Sequence, residues 1–344
     1  MHATVLGASG YGGMLLLRIL AHHPEVTRIT ASARTTAGMA VTDADPGLPQ
    51  GHLRRGVDAT VLSPEAALTD PGDVVFSALP HGASAEVCAP VLGSVPVIDL
   101  SADFRFSDAT RFTSAYGTAP PAPEFQERSV YGLCEWNRTQ VPAAAVVANP
   151  GCYPTASLIP VLPAAVAGLI DGPLVIHAIS GVSGAGKKAK QDLLFAERTE
   201  NANAYGVGTQ HRHQAEIVEQ LLSVVPAAGP ELTVLFNPHL APIKQGMAVT
   251  TVLPTSRPAA VVEALQERYR DEQFVELTGE VPPETRHVRG SNRIRIGWRL
   301  EEHHVILLSV IDNLWKGASG QAVQNMNIYF GYPEETGLEY GIEL

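Results

Sequence analysis

Along residues 2–100, short apolar runs alternate with stretches of helical or turn-rich texture. Ala3–Leu6, Arg28–Ser32, Asp73–Leu79 and Val95–Leu100 read as strands, with helices from about Gly12 to His22 and from about Ala83 to Val91. Strands that are apolar throughout need cover on both faces, and strand–helix–strand alternation predicts that they run parallel. The expectation is a doubly wound α/β unit. Residues 101–142 are rich in Ser, Pro, Asp and aromatics and show little period, so they read as long functional loops and a linker, ending at the run Ala143–Ala148.

The texture changes near residue 149. Leu174–Ser180, Leu232–Phe236, Met247–Leu253, Arg293–Arg299 and His304–Ile311 read as strands, with helices near 214–223 and 258–270. Ile294, Ile296 and Trp298 alternate with polar neighbours, the period-two mark of a sheet with one wetted face. This predicts an α+β domain with a mixed, largely antiparallel sheet. Helical spacing at Ala318, Ala322, Met326 and Tyr329 predicts a late helix that packs back on the first domain. The expected division is residues 1–148 plus a C-terminal helix of about 315–344, and residues 149–314 as a catalytic and dimerisation domain.

Composition narrows the function. At roughly 100–200 residues per domain, 344 residues make about two domains. The net charge, 24 Lys+Arg against 35 Asp+Glu or −11, supplies no general basic field for nucleic acid. Runs such as Met14–Leu17 and Val305–Leu308 fall far short of the ~20 residues a bilayer needs, and no basic segment followed by an apolar run opens the chain. A cytoplasmic protein with a small-molecule substrate is expected. Three scattered cysteines, Cys88, Cys134 and Cys152, neither build a disulfide framework nor show metal-ligand spacing. No metal is expected.

Gly7, Gly10 and Gly13 lie in Gly7-Ala8-Ser9-Gly10-Tyr11-Gly12-Gly13, directly after the first strand and opening the first helix. Glycines there permit a tight turn and close approach of a pyrophosphate to the helix-end N–H groups. The spacing G-x-x-G-x-x-G departs from the usual fingerprint, but its place in the chain marks Gly7, Ser9, Gly10, Tyr11, Gly12 and Gly13 as dinucleotide contacts of a Rossmann-type domain. The second strand ends in Ser32-Ala33-Arg34, where an acid would prefer a free 2′-hydroxyl. Ser32 and Arg34 favour a 2′-phosphate, hence NADPH; the alternative is a solvated loop arginine. Leu79, Pro80 and His81 follow a strand at the same carboxyl edge and read as cofactor contacts.

Cys152 lies in Asn149-Pro150-Gly151-Cys152-Tyr153-Pro154-Thr155, before the apolar stretch Ala156–Ala167. Pro154 suits a first helical turn and puts Cys152 at or near the N-cap. Helix-end N–H groups favour a thiolate and also a developing oxyanion, so both serve acyl transfer. Cys88 and Cys134 read as buried, inert thiols. His211 and His213, in Thr209-Gln210-His211-Arg212-His213, are the candidate proton partners; helix-capping or solvated histidines are the alternatives, and a His-x-His metal site lacks a third ligand.

Gly181-Val182-Ser183-Gly184-Ala185-Gly186-Lys187-Lys188 nearly matches a nucleotide-triphosphate phosphate loop, but Lys188 stands where a Mg²⁺-binding hydroxyl belongs. The preferred reading is a mobile loop, with Ser183, Gly184 and Ala185 near the cofactor and Lys187 near a substrate anion. Arg105 is a candidate grip on a carboxylate or phosphate, against a structural salt bridge with Asp103 or another acid.

With these motifs, the chain resembles the N-acetyl-γ-glutamyl-phosphate reductases. The resemblance adds Leu79-Pro80-His81-Gly82, Asp99-Leu100-Ser101-Ala102-Asp103-Phe104-Arg105, Tyr131-Gly132-Leu133, Pro238-His239-Leu240, Asp312-Asn313-Leu314 and Lys316-Gly317, and runs nearly end to end. Cys134 departs from the pattern, standing where a proline is expected. The resemblance implies NADPH-dependent reduction of an acyl phosphate through a thioester on Cys152. It also implies His213 as proton shuttle, His211 and Asn149 toward substrate, Asn313 toward the nicotinamide, and a homodimer or homotetramer formed through the second domain. Rival readings are aspartate-semialdehyde dehydrogenase, a reductase of carrier-linked aminoadipyl phosphate, and a non-catalytic NADPH sensor. The thiol's surroundings, the acidic net charge and the paired histidines respectively weigh against them.

Overall fold

The computed structural model describes residues 1–48, 56–225 and 232–339. It resolves into two compact units, one of Met1–Ala109, Ala119–Pro150 and Ala318–Leu344, the other of Thr110–Thr118 and Gly151–Gly317. The sequence reading has no counterpart for the excursion of Thr110–Thr118 into the second unit. It is tied there by an ion pair between Arg111 and Glu219, and by Arg212 lying over the Tyr116 ring.

In the first unit, β1 (His2–Leu6), β2 (Arg28–Ser32), β3 (Val74–Ser77), β4 (Val97–Asp99), β5 (Ser129–Tyr131) and β6 (Val146–Ala148) form one parallel sheet in the order β2-β1-β3-β4-β6-β5. β3, β4 and β6 are buried at every position, which is why their sequences are apolar without alternation. The chain leaves β1 for one neighbour and returns on its other side with β3. That switch point opens a crevice beyond the carboxyl ends of β1 and β3, where α/β sheets bind ligands. β5 lies in the stretch read as loop, because three residues are too few to show a period.

The late helix spans Gly320–Phe330, shorter than the expected 315–344, and stops at Gly331, whose φ of 74° is left-handed; residues 340–344 lie outside the described residues. A π-turn, Trp315–Ser319, precedes it. Asn325 donates to the Gly132 carbonyl, and Asn327 Oδ1 accepts from His23 Nε2–H while its Nδ2 donates to the Glu334 and Thr336 carbonyls. Buried amides therefore join the buried Ala322, Val323 and Met326 in holding this helix to its unit.

The second unit is a seven-stranded mixed sheet of β7 (Leu174–Gly181), β8 (Asn203–Ala204), β9 (Val234–Ala241), β10 (Met247–Pro254), β11 (Val275–Gly279), β12 (Ile294–Leu300) and β13 (His304–Ile311), ordered β11-β12-β13-β10-β7-β9-β8. Only β11/β12 and β7/β9 are parallel. Strict alternation buries Leu174, Ile176 and Ala178 on one face of β7 and leaves Val175, His177 and Ile179 toward the other. The helices Cys152–Val166, Arg212–Leu222 and Pro258–Tyr269 cover the buried face.

The Cys152 helix is almost wholly buried although Pro160 and Pro163 interrupt it. Each proline removes one helical N–H, which orphans the carbonyls of Ala156 and Ile159. Both are satisfied from outside the helix: Ser309 Oγ donates to Ala156 O at 2.7 Å, and Tyr269 Oη donates to Ile159 O. Since an unpaired buried carbonyl costs about 1–3 kcal/mol, Ser309→Ala is expected to lower stability in urea melts by that order. The same change should cost clearly less in a Pro160→Ala background, where residue 160 regains its N–H. Equal costs in the two backgrounds would contradict the assignment.

Candidate active site

The first unit ends in a cradle. Gly7 has φ of +79°, and a Cβ on it would collide with the Ala78 carbonyl at the end of β3; a Cβ on Gly13 would collide with Gly7 O. The loops after β1 and β3 therefore touch backbone to backbone. The helix Tyr11–Leu20 opens on Gly10 as N-cap with no side-chain cap, leaving its first amides to a ligand. Ser32 Oγ at the end of β2 is fully buried without a hydrogen-bond partner among the described residues, and Arg34 beyond it is exposed. An uncapped helix end, a cradle closed to any Cβ and an orphaned hydroxyl beside a cation fit a phosphorylated dinucleotide.

The Leu79–Gly82 loop is fixed by the segment that follows β4. Asp103 accepts from the N–H groups of Gly82 and Ala85, at 2.7 and 3.0 Å, and His81 Nδ1 accepts from Ala102 N–H at 2.9 Å. Asp99 is fully buried, accepts from Ser84 and Ser101 hydroxyls, and is pushed up by burial to about 6. Arg105 Nε donates to the carbonyl of Asn149 and its Nη2 to that of Leu100, both at 2.8 Å. Through these two carbonyls the guanidinium holds the chain before Cys152. Asn149 in turn donates to Ala318 O and accepts from Asn325.

In the second unit Gly151 is the N-cap and Cys152 the first helical residue. The Gly151 carbonyl accepts from both the N–H and the hydroxyl of Thr155, and the Gly151 N–H donates to the buried Glu216 carboxylate at 3.0 Å. Cys152 is partly exposed, whereas Cys88 and Cys134 are buried. Burial, and secondarily Asp99, pushes the Cys88 thiol up to about 12, so it stays protonated and inert.

His211 and His213 stand at the opening of the Arg212–Leu222 helix, with ring centroids 4.9 Å apart. His211 is the N-cap: its Nδ1 accepts from His213 N–H at 3.1 Å, which leaves the ring proton on Nε2. Burial, then the adjacent Arg212 charge, lowers His211 to about 4, so its imidazole is neutral at pH 7. The Tyr153 ring, next in chain to the thiol, meets both imidazoles edge-on at 5.6 and 5.8 Å. Tyr205 Oη donates to Tyr153 Oη at 2.9 Å, and burial pushes both phenols up, so neither ionises near neutrality.

The near-match to a phosphate loop is not a phosphate cradle. The N–H groups of Gly181, Val182 and Ser183 already donate to the carbonyls of Gly246, Ile243 and Lys244. Asn313 is engaged at both ends, accepting from Gly246 N–H and donating to Ser183 Oγ, so it anchors this loop; Gly184 and Lys187 are exposed on it. Sequence reasoning missed Glu216, Tyr153, Tyr205 and the glycine at 317. Glu216 had a signal, since it lies three residues after His213 and thus on the same helix face. The others arise from chain crossings no spacing reveals.

Comparisons with known proteins give the family and the fold. Residues 2–144 match the semialdehyde dehydrogenase NAD binding domain, and residues 152–313 the semialdehyde dehydrogenase dimerisation domain. An aspartate semialdehyde dehydrogenase II from Vibrio cholerae, complexed with ASA, superposes with TM-score 0.72 at 17% identity, over 96% of this chain and 98% of that one. An aspartate semialdehyde dehydrogenase with NADP from Candida albicans does so with TM-score 0.67 at 18% identity, over 95% and 97%. These likenesses establish the fold. Among curated proteins, the N-acetyl-gamma-glutamyl-phosphate reductase of Rhodospirillum rubrum is 44% identical over 98% of this chain and 97% of its own length, and that of Halorhodospira halophila 44% identical over 97% of each. The chain belongs to the N-acetyl-γ-glutamyl-phosphate reductase family, NADP-dependent oxidoreductases with the semialdehyde dehydrogenase fold.

Proposed function

We propose that this chain reduces N-acetyl-γ-glutamyl phosphate with NADPH to N-acetylglutamate 5-semialdehyde and phosphate, the third step of arginine biosynthesis from glutamate, in the cytoplasm. The observation that carries the mechanism is a partly exposed thiol on the first residue of a buried helix whose next residue, Tyr153, packs edge-on against two histidines. Cys152 Sγ bonds to the acyl carbon as the carbon–oxygen bond to phosphate breaks, and His213 takes the thiol proton. The glycine cradle, Ser32 and Arg34 would hold NADPH, which when bound would supply the hydride that reduces the thioester carbon. The helix-end N–H groups stabilise the resulting oxyanion. Its collapse breaks the carbon–sulfur bond and releases the aldehyde, and His213 returns the proton to sulfur.

His211, neutral and fixed by its capping bond, is assigned to donate Nε2–H to the substrate. Lys187 is assigned to the substrate's anionic end. Two hydrogen bonds to carbonyls support a positioning role for Arg105, and with Asn149 it sets the turn that delivers Cys152. Two or four copies assemble through the open face of the second unit's sheet, where Ile179 is 47% and Leu235 44% exposed. Sedimentation equilibrium should read a dimer or tetramer mass; a monomer at micromolar concentration would contradict the assembly.

The activity is tested by phosphate-dependent NADP⁺ reduction with N-acetylglutamate semialdehyde, aspartate semialdehyde and a carrier-linked aminoadipate semialdehyde. The first substrate should dominate, with NADP⁺ preferred over NAD⁺; preference for either other aldehyde refutes the reading. A lowered His211 leaves the folded state without a proton that the unfolded chain binds below about 6.5, so its contribution is complete above that pH and fades toward about 4. It supplies no protonation step between pH 6 and 8. His211→Asn, which retains a capping acceptor, should therefore keep the acid limb of the kcat/KM profile, and His213→Asn should abolish it. The opposite pattern would exchange the two roles.

A further inference from the structure

β13 ends at Asp312, a fully buried carboxylate. It accepts from the Gln245 amide, from Gly290 N–H at 2.8 Å, and from the N–H groups of Leu314 and Trp315 at 2.9 and 3.2 Å. The Asp312 carbonyl accepts from Gly317 N–H at 3.0 Å, a five-residue span that closes the π-turn. Lys316, also fully buried, places its ammonium 5.6 Å from the Phe274 ring centroid. The turn is thus pinned at its carboxylate, its carbonyl and its middle side chain. Such turns interrupt ordinary helical bonding and recur at functional sites.

What this turn presents to its surroundings is Gly317. A Cβ there would lie 2.7 Å from Cys152 Cβ, 3.1 Å from Cys152 Cα and 3.2 Å from Ile311 Cδ1. The first distance is shorter than packed carbons tolerate, and the atoms it meets belong to a helix start and cannot swing aside as a long side chain would. Gly317 is needed here for close approach and not for an unusual φ.

We propose that Gly317 is a positioning residue: the pinned π-turn abuts the Cα–Cβ bond of Cys152 and closes one side of it, which restricts where the sulfur can swing. This rests on the reading of Cys152 as the nucleophile. Displacement of a reacting atom by about 1 Å can cost 100-fold in rate, so a backbone abutment at the Cβ is an economical device for alignment. It also explains a buried carboxylate with so many donors beside a buried lysine at the end of the last strand: the turn must resist displacement.

The test is a double-mutant cycle on the contact. Gly317→Ala should lower Tm by several degrees, lower kcat by about 10- to 100-fold with KM for NADPH unchanged, and alter the rate at which iodoacetamide alkylates Cys152, followed by peptide mass spectrometry. In a Cys152→Gly background, which removes the Cβ that is struck, the Tm loss from Gly317→Ala should shrink markedly. Should Gly317→Ala fail to fold, the same Cys152→Gly change should restore folding. The proposal is overturned if the Tm loss, or the folding defect, is as large without the Cys152 Cβ as with it, or if a folded Gly317→Ala protein alkylates at the wild-type rate. None of these thermal or alkylation readings requires turnover. Failure of the nucleophile assignment would appear separately, as activity retained by Cys152→Ala.

Discussion

The second unit is organised around the amino end of one buried helix. That end carries the partly exposed Cys152 and is held from several sides. Glu216 takes the Gly151 N–H from outside, Thr155 closes the first turn onto the Gly151 carbonyl, and Gly317 abuts the Cβ. Farther along, Ser309 and Tyr269 replace the bonds that Pro160 and Pro163 remove. A helix with two internal prolines is a poor helix by propensity, and it persists because its neighbours supply hydroxyls where its own N–H groups are missing.

The two histidines show how a shared sequence motif divides into different chemistry. They are two residues apart, yet one becomes the cap of the helix and the other lies inside it. The cap has one ring nitrogen committed to a backbone N–H and is buried beside a cation, so it takes up no second proton at neutral pH. A neutral imidazole with a fixed tautomer is a donor of constant strength, and the proposed mechanism assigns proton exchange to its neighbour His213.

Much of this was legible in the residues. The parallel sheet could be read because strands such as Val74–Ser77 are apolar on both faces, and the mixed sheet because Ile294, Ile296 and Trp298 alternate with polar neighbours. The glycine loop was legible because backbone contact leaves no other residue type. β5, β8 and β11 were missed, since strands of two or three residues at an edge, or one broken by a bulge as at Leu277–Gly279, carry no readable period. The late helix was overextended because the left-handed Gly331 stops it at Phe330, whereas the apolar spacing through Ala322, Met326 and Tyr329 marks a face and not an end. Glu216, Gly317 and the bond of Arg105 to Asn149 depend on segments 44 to 165 positions apart in the chain, and a linear motif cannot show which of its polar groups is already engaged.

The central claim is that the acyl group passes through Cys152. It is tested most directly by mixing the enzyme with N-acetyl-γ-glutamyl phosphate in the absence of NADPH, quenching in acid, and measuring intact and peptide masses. The account predicts one N-acetylglutamyl adduct on the peptide that contains Cys152, labile to hydroxylamine and lost on addition of NADPH before the quench. An active enzyme with no adduct, or with the adduct on Cys88, Cys134 or another residue, would contradict it.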